Sequence, residues 1–429
     1  MKKPQSLAFL LACCPALYAA TPEETKLDTL KTYELQSVQV TSTRANRTTP
    51  MAFQNINKQQ LKAINHGKDI PFLLSLTPSV ITTSDAGNGI GYTSLRVRGT
   101  DPSRINITSN GIPMNDAESS QVFWVNMGDF ASSISSMQIQ RGVGTSTNGS
   151  SAFGATVNME TEQIGMNPFL SVDLSAGSYA SHKETLRFGT GLLGGHWGIQ
   201  GRLSNIGSDG YIDRASAKLN SYFVQAGYFA DNTIVKFVTF NGTERTYHAW
   251  DYASKYDQSV YGRTYNPSGK MEKDANGNPQ FYRDQTDNYH QQHYQLFWNQ
   301  YLNKDWTLNV ALHYTNGKGY YEQYKKNKKL FDYGLDMNKT KAKSSLVRQK
   351  WLANDFFGTI ASLHFNNKKN VEATIGGGWN KYDGDHYGFV TWVAKPVDAY
   401  FPYHRYYDNN TKKTDFNVYS KLNYTFVEG

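Results

Sequence analysis

Alternation of apolar and polar side chains runs through most of the chain from residue 169 onward and constrains its fold more than any other feature. In the clearest segment, every second residue is apolar or aromatic, namely Trp306, Leu308, Val310, Leu312 and Tyr314. A period of two residues is typical of β-strands. We count about ten such segments, which predicts about ten antiparallel strands.

The connections between these segments alternate in length. Short turns lie at 229–233, 302–305 and 366–370, and long polar stretches lie at 205–219, 241–288, 315–347 and 381–414. Short turns at one end and long loops at the other are typical of an outer-membrane β-barrel. A soluble antiparallel sandwich shares the alternation, but it does not predict such unequal loops. The mean hydropathy of −0.59 predicts no helical membrane span in the bulk of the chain.

Residues 44–163 follow a different pattern. Residues 69–80 read as a short helix, and 94–99, 104–116 and 135–142 read as short strands separated by turn residues. A run of small residues at 137–162 has the glycine spacing of a phosphate-binding loop, but Ser150 and Ser151 follow Gly149 where that loop needs a lysine. This region is therefore predicted to be a compact α+β domain without a nucleotide site.

The first twenty residues read as a secretory signal peptide. Lys2 and Lys3 precede an apolar stretch, and small residues continue to Ala20. Both cysteines, Cys13 and Cys14, lie inside this segment. The mature chain is therefore expected to have no disulfide and no cysteine-based metal site.

Charge and chemistry exclude several classes of function. The formal net charge is +8, and a basic run contains Lys325, Lys326, Lys328, Lys329, Lys339, Lys341, Lys343, Arg348 and Lys350. In an exported protein this run favours anionic lipid or an anionic ligand over nucleic acid, although a solvated loop would look the same. The ten histidines are scattered without metal-ligand spacing. We expect neither an enzyme nor a bound cofactor.

Three motifs in order resemble the TonB-dependent receptor family, namely "LRVRG" at 95–99, "NGIPMND" at 110–116 and "QIQRGVGTSTNGSSAFGATVNM" at 138–159. The stretch "SDGYIDRAS" at 208–216 is similar to the family's first long extracellular loop. The resemblance implies a mixed fold, with a small α+β plug domain inside an antiparallel transmembrane β-barrel of about 22 strands. It also implies import of scarce nutrients across a Gram-negative outer membrane.

With this resemblance the chain divides into a signal peptide at 1–20, a periplasmic segment at 21–43, a plug at 44–163 and barrel strands at 164–429. The small-residue run then becomes plug backbone passing close to its surroundings, with glycines at 142, 144, 149 and 154. Glycine allows positive φ and close approach. These glycines are expected to serve packing and not nucleotide binding.

The segment "ELQSVQVTSTR" at 34–44 is similar to a TonB box, with its centre at Ser37, Val38, Gln39, Val40 and Thr41. Its β-branched residues favour an extended strand that a periplasmic partner can extend by β-augmentation. The resemblance implies that this partner is TonB, with its inner-membrane energising complex. The alternative is a first strand of the plug that belongs to the plug alone.

The number of strands conflicts with the size of the plug. About ten strands, spaced ~4.8 Å and tilted ~40°, would close into a cylinder of radius roughly 10 Å. A plug of about 120 residues has a radius of gyration of roughly 14 Å. A cylinder of about 22 strands has a radius of roughly 22 Å and accommodates it. We therefore expect this chain to be the N-terminal part of a longer receptor.

Candidate site residues follow from the expected geometry. Ligand contacts are predicted at the plug apex and in the loops, at Tyr92, Asn115, Asp116, Trp124, Tyr247 and Trp250. Arg96, Arg98 and Arg141 are candidates for breakable ion pairs with carboxylates of the barrel wall, and ordinary surface arginines are the alternative.

The sequence therefore favours an energised importer of a ferric siderophore or another iron chelate. Import of cobalamin or a glycan is the alternative within the family, and a passive channel or adhesin is the alternative outside it. Expected partners are TonB, an extracellular small molecule, outer-membrane lipid and lipopolysaccharide, with a surface lipoprotein as a further candidate. No nucleic-acid partner is expected.

Overall fold

The computed structural model describes residues 44–46, 49–143, 153–336, 341–395, 397 and 400–426. Its first part is an α+β domain. In chain order its elements are β1 (Ala52–Asn57), α1 (Lys58–Ile64), α2 (Ile70–Leu73), β2 (Val80–Ser84), β3 (Thr93–Val97), β4 (Ile105–Ser109), β5 (Ile112–Pro113), β6 (Ile134–Arg141) and β7 (Ala155–Thr161). Short 3₁₀ helices lie at Pro102–Arg104, Trp124–Met127 and Phe130–Ser133. The predicted short strands are confirmed, whereas the helix predicted over 69–80 is confirmed only at Ile70–Leu73.

Five of these strands form a mixed sheet in the order β1-β6-β7-β4-β5, and β2 and β3 form a hairpin. Strands β4 and β7 are parallel, while the other neighbours are antiparallel. The sheet packs around fully buried side chains of Ile107, Met137, Ile139 and Val157. Asn57 caps α1 reciprocally with Gln60, each side chain accepting the other's backbone N–H at 2.9 Å. Local capping and apolar alternation thus specify this domain.

Two glycines of the small-residue run permit close backbone contact. Gly142 has φ +99° and donates its N–H to the carbonyl of Gly154 at 3.0 Å. Gly154 in turn donates to the carbonyl of Arg104 at 3.0 Å, and a Cβ at Gly154 would lie 2.9 Å from that oxygen. The predicted packing role therefore holds at these two positions. Gly144 and Gly149 lie outside the described residues.

The second part of the chain is a ten-stranded antiparallel meander. In chain order its strands are β8 (Pro168–Gly177), β9 (Ser181–Leu193), β10 (Trp197–Ser208), β11 (Ala217–Phe229), β12 (Thr233–Tyr247), β13 (Thr286–Tyr301), β14 (Trp306–Lys329), β15 (Lys343–Asn366), β16 (Val371–Val393) and β17 (His404–Tyr424). Each strand pairs with its neighbours in sequence, from β8 at one edge to β17 at the other. The predicted number of about ten strands is confirmed.

Several strands extend beyond the ends that the sequence predicted. Strands β14 and β15 take up most of 315–347, which was predicted as a loop, and that prediction was wrong over most of its length. Their pairing continues from Trp306↔Phe365 to Lys329↔Lys343, with one irregularity between Lys325 and Lys328. The pairing can continue through polar residues because the backbone N–H and C=O groups of the two strands hydrogen-bond to each other. A helix, α3 (Lys255–Tyr261), lies in the connection between β12 and β13.

The two faces of this sheet are inverted relative to a soluble protein. Apolar side chains are exposed on one face, for example Leu170, Val172 and Leu174 at 74%, 63% and 73%. Polar side chains of the other face are buried, namely Lys183, Thr185, Gln200, Arg202, Ser204, Ser221, Gln225, Lys236 and Glu244. Within the described residues, no helix is long and apolar enough to cross a membrane.

The α+β domain packs on the polar face of the sheet through a buried aspartate. The carboxylate of Asp129 lies 3.0 Å from the ammonium of Lys183 and 3.7 Å from the guanidinium of Arg202. It also accepts hydrogen bonds from Thr185 at 2.7 Å and from Ser204. A buried charge is tolerated only when it is paired and hydrogen-bonded. Asp129 therefore joins the domain to strands β9 and β10.

A second junction lies at Glu162, just beyond β7. Its carboxylate pairs with Arg187 of β9 and with Lys58 of α1, the latter at 3.0 Å. Its backbone carbonyl accepts a hydrogen bond of 2.7 Å from the side chain of Gln225 in β11. Asp129 and Glu162 thus anchor one side of the domain to β9, β10 and β11.

We predict that Asp129→Asn lowers the free energy of unfolding by about 3 kcal/mol at pH 7, because Lys183 and Arg202 stay buried without a counter-charge. Burial alone would raise the pKa of Asp129, but Arg202, Lys183 and hydroxyl donors lower it to about 2. A carboxylate with a depressed pKa in the folded state stabilises above its unfolded pKa, and this stabilisation is lost as the pH falls through the folded pKa.

The difference between wild type and Asp129→Asn should therefore shrink by about 2 kcal/mol between pH 5 and pH 2, measured by urea unfolding in detergent. The control is Asp231→Asn, a change of the same kind on an exposed turn. A constant difference across this pH range, or equal stability of Asp129→Asn and the control at pH 7, would contradict the prediction.

Candidate ligand-binding cavity

A cavity of about 440 Å³ lies where the α+β domain meets the later strands of the sheet. From the domain it is lined by Tyr92, Met114, Asp116, Gln121, Val122, Phe123, Asn126 and Met127. From the strands and their connections it is lined by Glu244, Trp250, Asp287, Tyr289, Gln291, Gly319, Tyr320, Tyr321, Lys350, Trp351, Leu352, Asn354, His386 and Tyr407. Its volume lies in the range of sites for small ligands.

One wall of the cavity is aromatic. The ring of Trp250 meets Tyr92 edge-on at 5.5 Å between centroids and Tyr321 edge-on at 5.9 Å. Behind it, His248 stacks on Trp250 at 3.9 Å. Burial, and then the charge of Lys325, lower the pKa of His248 to about 3. The imidazole is therefore neutral near pH 7, and its flat ring stacks against the indole of Trp250.

The floor of the cavity, which we define as Tyr92, Asn126, Glu244 and Asp287, presents oxygen atoms. The hydroxyl of Tyr92 donates to the carboxylate of Asp287, and Glu244 accepts from Thr246 at 3.2 Å. Burial, and then the carboxylates of Glu244 and Asp287, raise the pKa of Tyr92 well above its usual range. Its hydroxyl therefore keeps its proton and remains a donor.

Lys350 supplies positive charge at the opposite side. Its ammonium lies 5.8 Å from the ring centre of Tyr321 and 5.7 Å from that of Tyr407, within the range of cation–π contacts. Of the basic run between 325 and 350, Lys350 is the member that lines the cavity within the described residues.

The structure brings three of the six predicted ligand contacts to the cavity, namely Tyr92, Asp116 and Trp250. Asn115 instead shapes the apex loop, because its amide accepts from the N–H of Ile107 at 2.8 Å and donates to the carbonyl of Ser120 at 2.9 Å.

Two further predicted contacts are buried close by. Trp124 lies in a 3₁₀ helix, and Tyr247 donates its hydroxyl to the carbonyl of Tyr282 at 2.9 Å. Neither lines the cavity.

The predicted arginines make local contacts in the described structure. Arg96 lies 3.6 Å from Asp101 of the same domain, and Arg141 donates to the carbonyl of Pro78 at 3.3 Å. Arg98 is exposed and has φ +52°. The ion pairs described between domain and sheet instead involve Asp129, Glu162 and Glu118. A role for the three arginines in breakable pairs stays a prediction.

The predicted TonB box, Ser37 to Thr41, lies outside the described residues. The chain enters the described part at Arg44, whose guanidinium pairs with Glu160 of β7 at 2.8 Å. Ala45 exchanges two hydrogen bonds with the side chain of Gln138, at 2.8 and 2.9 Å. The residues that follow the box are thus attached directly to the central strands of the domain.

Sequence reasoning missed Glu244, Asp287, Tyr321 and Asn126. The first two lie in 241–288, which was predicted as a loop, although β12 and β13 extend into it from both sides. In both strands, alternate side chains face opposite sides of the sheet, and this alternation could have predicted that Glu244 and Asp287 belong to strands. Among the described residues, no group of three or more histidine, aspartate, glutamate or cysteine side chains is arranged to hold a metal ion.

Comparison with known proteins agrees with this architecture. Residues 45–156 match the TonB-dependent Receptor Plug Domain. No match to a curated protein sequence was found.

Three solved structures share the fold. They are the ferripyoverdine receptor of the outer membrane of Pseudomonas aeruginosa bound to ferripyoverdine (11% identity, TM-score 0.59, covering 89% of this chain and 51% of that one), the copper transporter OprC (12%, 0.63, 89% and 54%) and the ferric citrate transporter FecA in its unliganded form (13%, 0.62, 88% and 54%).

The chain thus spans about half the length of these solved receptors. At such low identity the likeness shows the fold alone. The plug match and the shared fold identify the two parts described above, since the α+β domain occupies the matched residues and the ten strands follow it. This chain has a TonB-dependent receptor plug domain, and its plug and strands together have the fold of a TonB-dependent receptor.

Proposed function

We propose that the protein is a TonB-dependent outer-membrane receptor that imports a scarce ligand with energy from the proton-motive force, and that this ligand is a ferric siderophore or another iron chelate. The observation that carries the proposal is the cavity. Its lining comes jointly from the plug and from the strands. A ligand bound there contacts both parts and so senses the position of the plug.

The inverted sheet supports a membrane location. Leu203 of β10 and Leu312 of β14 are half exposed on the same face as the other apolar side chains. An apolar face of this size is stable when lipid covers it, and polar groups on the opposite face require the plug or water. Outer-membrane lipid and lipopolysaccharide are therefore the proposed surroundings of the strands.

The attachment of Arg44 and Ala45 supports energy coupling through the plug. We propose that TonB pairs with residues 37–41 by β-augmentation and pulls on the segment. The force then first reaches the contacts of Arg44 and Ala45 with β6 and β7, among them the ion pair of Arg44 with Glu160 and the hydrogen bonds to Gln138.

Iron is the proposed cargo because two of the three compared receptors are named for ferric ligands. The third is named for copper, so the fold alone does not fix the cargo. Cobalamin or a glycan is the alternative within the same architecture. The aromatic wall around Trp250 and Tyr321 suits a chelate with flat or apolar groups.

Growth of a deletion strain tests the cargo and the coupling together. The strain is complemented with the full gene and grown on a single ferric chelate, on cobalamin or on a single glycan. We expect rescue by a ferric chelate, and rescue by a glycan alone would contradict the iron proposal. Removal of residues 36–43 should abolish this uptake while surface binding of the radiolabelled chelate persists. Unchanged uptake would instead indicate a passive channel.

Tyr321→Ala should weaken binding of the chelate that supports growth by about tenfold, because it removes an aromatic wall worth about 1.4 kcal/mol. Isothermal titration of the purified receptor measures the change. Tyr314→Ala is the matched control, since Tyr314 belongs to the same strand and stacks on Tyr294 on the exposed face. Equal losses in the two variants would exclude the cavity as the binding site.

A further inference from the structure

We infer that the imported ligand carries a positively charged ammonium group, and that this group binds on the floor of the cavity against Glu244, Asp287 and Asn126. The inference rests on the proposed function, because it assigns the chemistry of the same cavity. It differs from the expectation of a purely anionic chelate that the basic run suggested.

The charge of the cavity supports a cationic group. Three carboxylates line it, those of Asp116, Glu244 and Asp287, against a single lysine, Lys350. Within the described residues, none of these carboxylates belongs to an ion pair, whereas Asp129 and Glu162 of the same plug each have basic partners. Glu244 is buried, and Asp116 and Asp287 are half-buried. A carboxylate buried without a counter-charge is costly, so a cation from the ligand is favoured here.

An unsatisfied amide oxygen gives independent support. Asn126 is 6% exposed, lines the cavity, and its side-chain oxygen has no hydrogen-bond donor within the described structure. The backbone of Asn126 packs closely against β12 at Gly242, where a Cβ would collide with the carbonyl oxygen of Asn126. Glu244 follows on the same face of that strand, about 7 Å further along. The cavity is therefore bordered by a buried amide oxygen that has no donor within the described residues.

An ammonium group supplies what the floor lacks. It has three N–H donors and no acceptor, and it matches two carboxylates and an amide oxygen. The hydroxyl of Tyr92 donates its hydrogen to Asp287, so the lone pairs of its oxygen are a further acceptor. The rings of Tyr92 and Trp250 beside the floor favour a cation through their π faces. The absence of a metal-binding cluster among the described residues favours an ammonium over a bare metal ion.

The register of β13, β14 and β15 indicates where the other end of the ligand binds. Asp287 pairs with Tyr321 on the next strand, and Tyr321 pairs with Lys350 on the strand after that. Two strand spacings place these backbones about 10 Å apart. The ligand that fits has its ammonium at Asp287 and an anionic group at Lys350, with an apolar or aromatic part against Tyr321.

Two small probes of similar shape and opposite charge test the inference on the purified full chain. These are 2-phenylethylammonium and 3-phenylpropionate, titrated while tryptophan fluorescence or heat is recorded. We expect the ammonium to bind more tightly. Glu244→Gln and Asp287→Asn should each weaken its binding about tenfold, as loss of a charge-assisted hydrogen bond does. Asp231→Asn, on an exposed turn, should leave it unchanged.

Asn126→Asp adds a charge to the floor and should tighten binding of the ammonium, a gain that misfolding cannot imitate. Tighter binding of the propionate to wild type, or unchanged ammonium binding in Glu244→Gln and Asp287→Asn, would overturn the inference. If the ferric chelate is imported and Tyr321→Ala weakens it while the floor variants do not, the inference fails and the proposed function stands. If no chelate is imported, the proposed function fails, and the probe titrations still test whether the floor binds an ammonium group.

Discussion

The whole architecture depends on one constraint, a sheet whose apolar face is exposed and whose polar face is buried. Leu174 and Leu203 project outward, while Arg202 and Lys183 project inward. The inward charges are stable because the plug supplies Asp129, which lies between them. Removing the plug would expose Lys183 and Arg202 without their counter-charge, and in water the apolar outer face would be unfavourably exposed. The plug therefore completes the polar face of the sheet.

The ligand cavity follows from this arrangement. The plug is anchored by ion pairs on the side of β9 and β10, and the cavity opens on the side of β12 to β17. An ion pair on that side, that of Glu118 with His386 at 2.7 Å, is more exposed than the pairs of Asp129. We propose that a ligand binds where the plug is less tightly held, and that pulling through Arg44 acts on a plug whose other side stays anchored.

The fold could be predicted from the sequence because its signals are local. A period of two residues marks the strands, and the motifs at 95–99, 110–116 and 138–159 mark the plug. The ends of the strands could not be predicted from hydrophobicity, since polar residues such as Lys325 continue the pairing. For the same reason Glu244 and Asp287 were assigned to a loop. Glu244 in fact lies near the end of β12 and Asp287 near the start of β13.

The candidate site was predicted only in part because it depends on pairing between distant residues. Tyr92 and Asp116 stood out as an aromatic and a polar residue at the expected apex, and Trp250 as an aromatic residue of a predicted loop. Lys350 joins them through its register with Tyr321, which no local pattern reveals. The ion pairs of the plug were expected at Arg96 and its neighbours because they lie in a recognised motif. The ion pairs that join the plug to β9 instead involve Asp129 and Glu162, which lie outside those motifs.

Spin-label accessibility in outer-membrane vesicles tests the inverted sheet most directly. Single cysteines would replace Leu203 and Leu312 on the apolar face, and Lys304 in a turn would serve as the aqueous reference, with Cys13 and Cys14 changed to alanine. We expect oxygen to relax the labels at the two leucine positions far more than a water-soluble nickel chelate does, with the opposite order at position 304. Equal access of the nickel chelate to all three positions would contradict it.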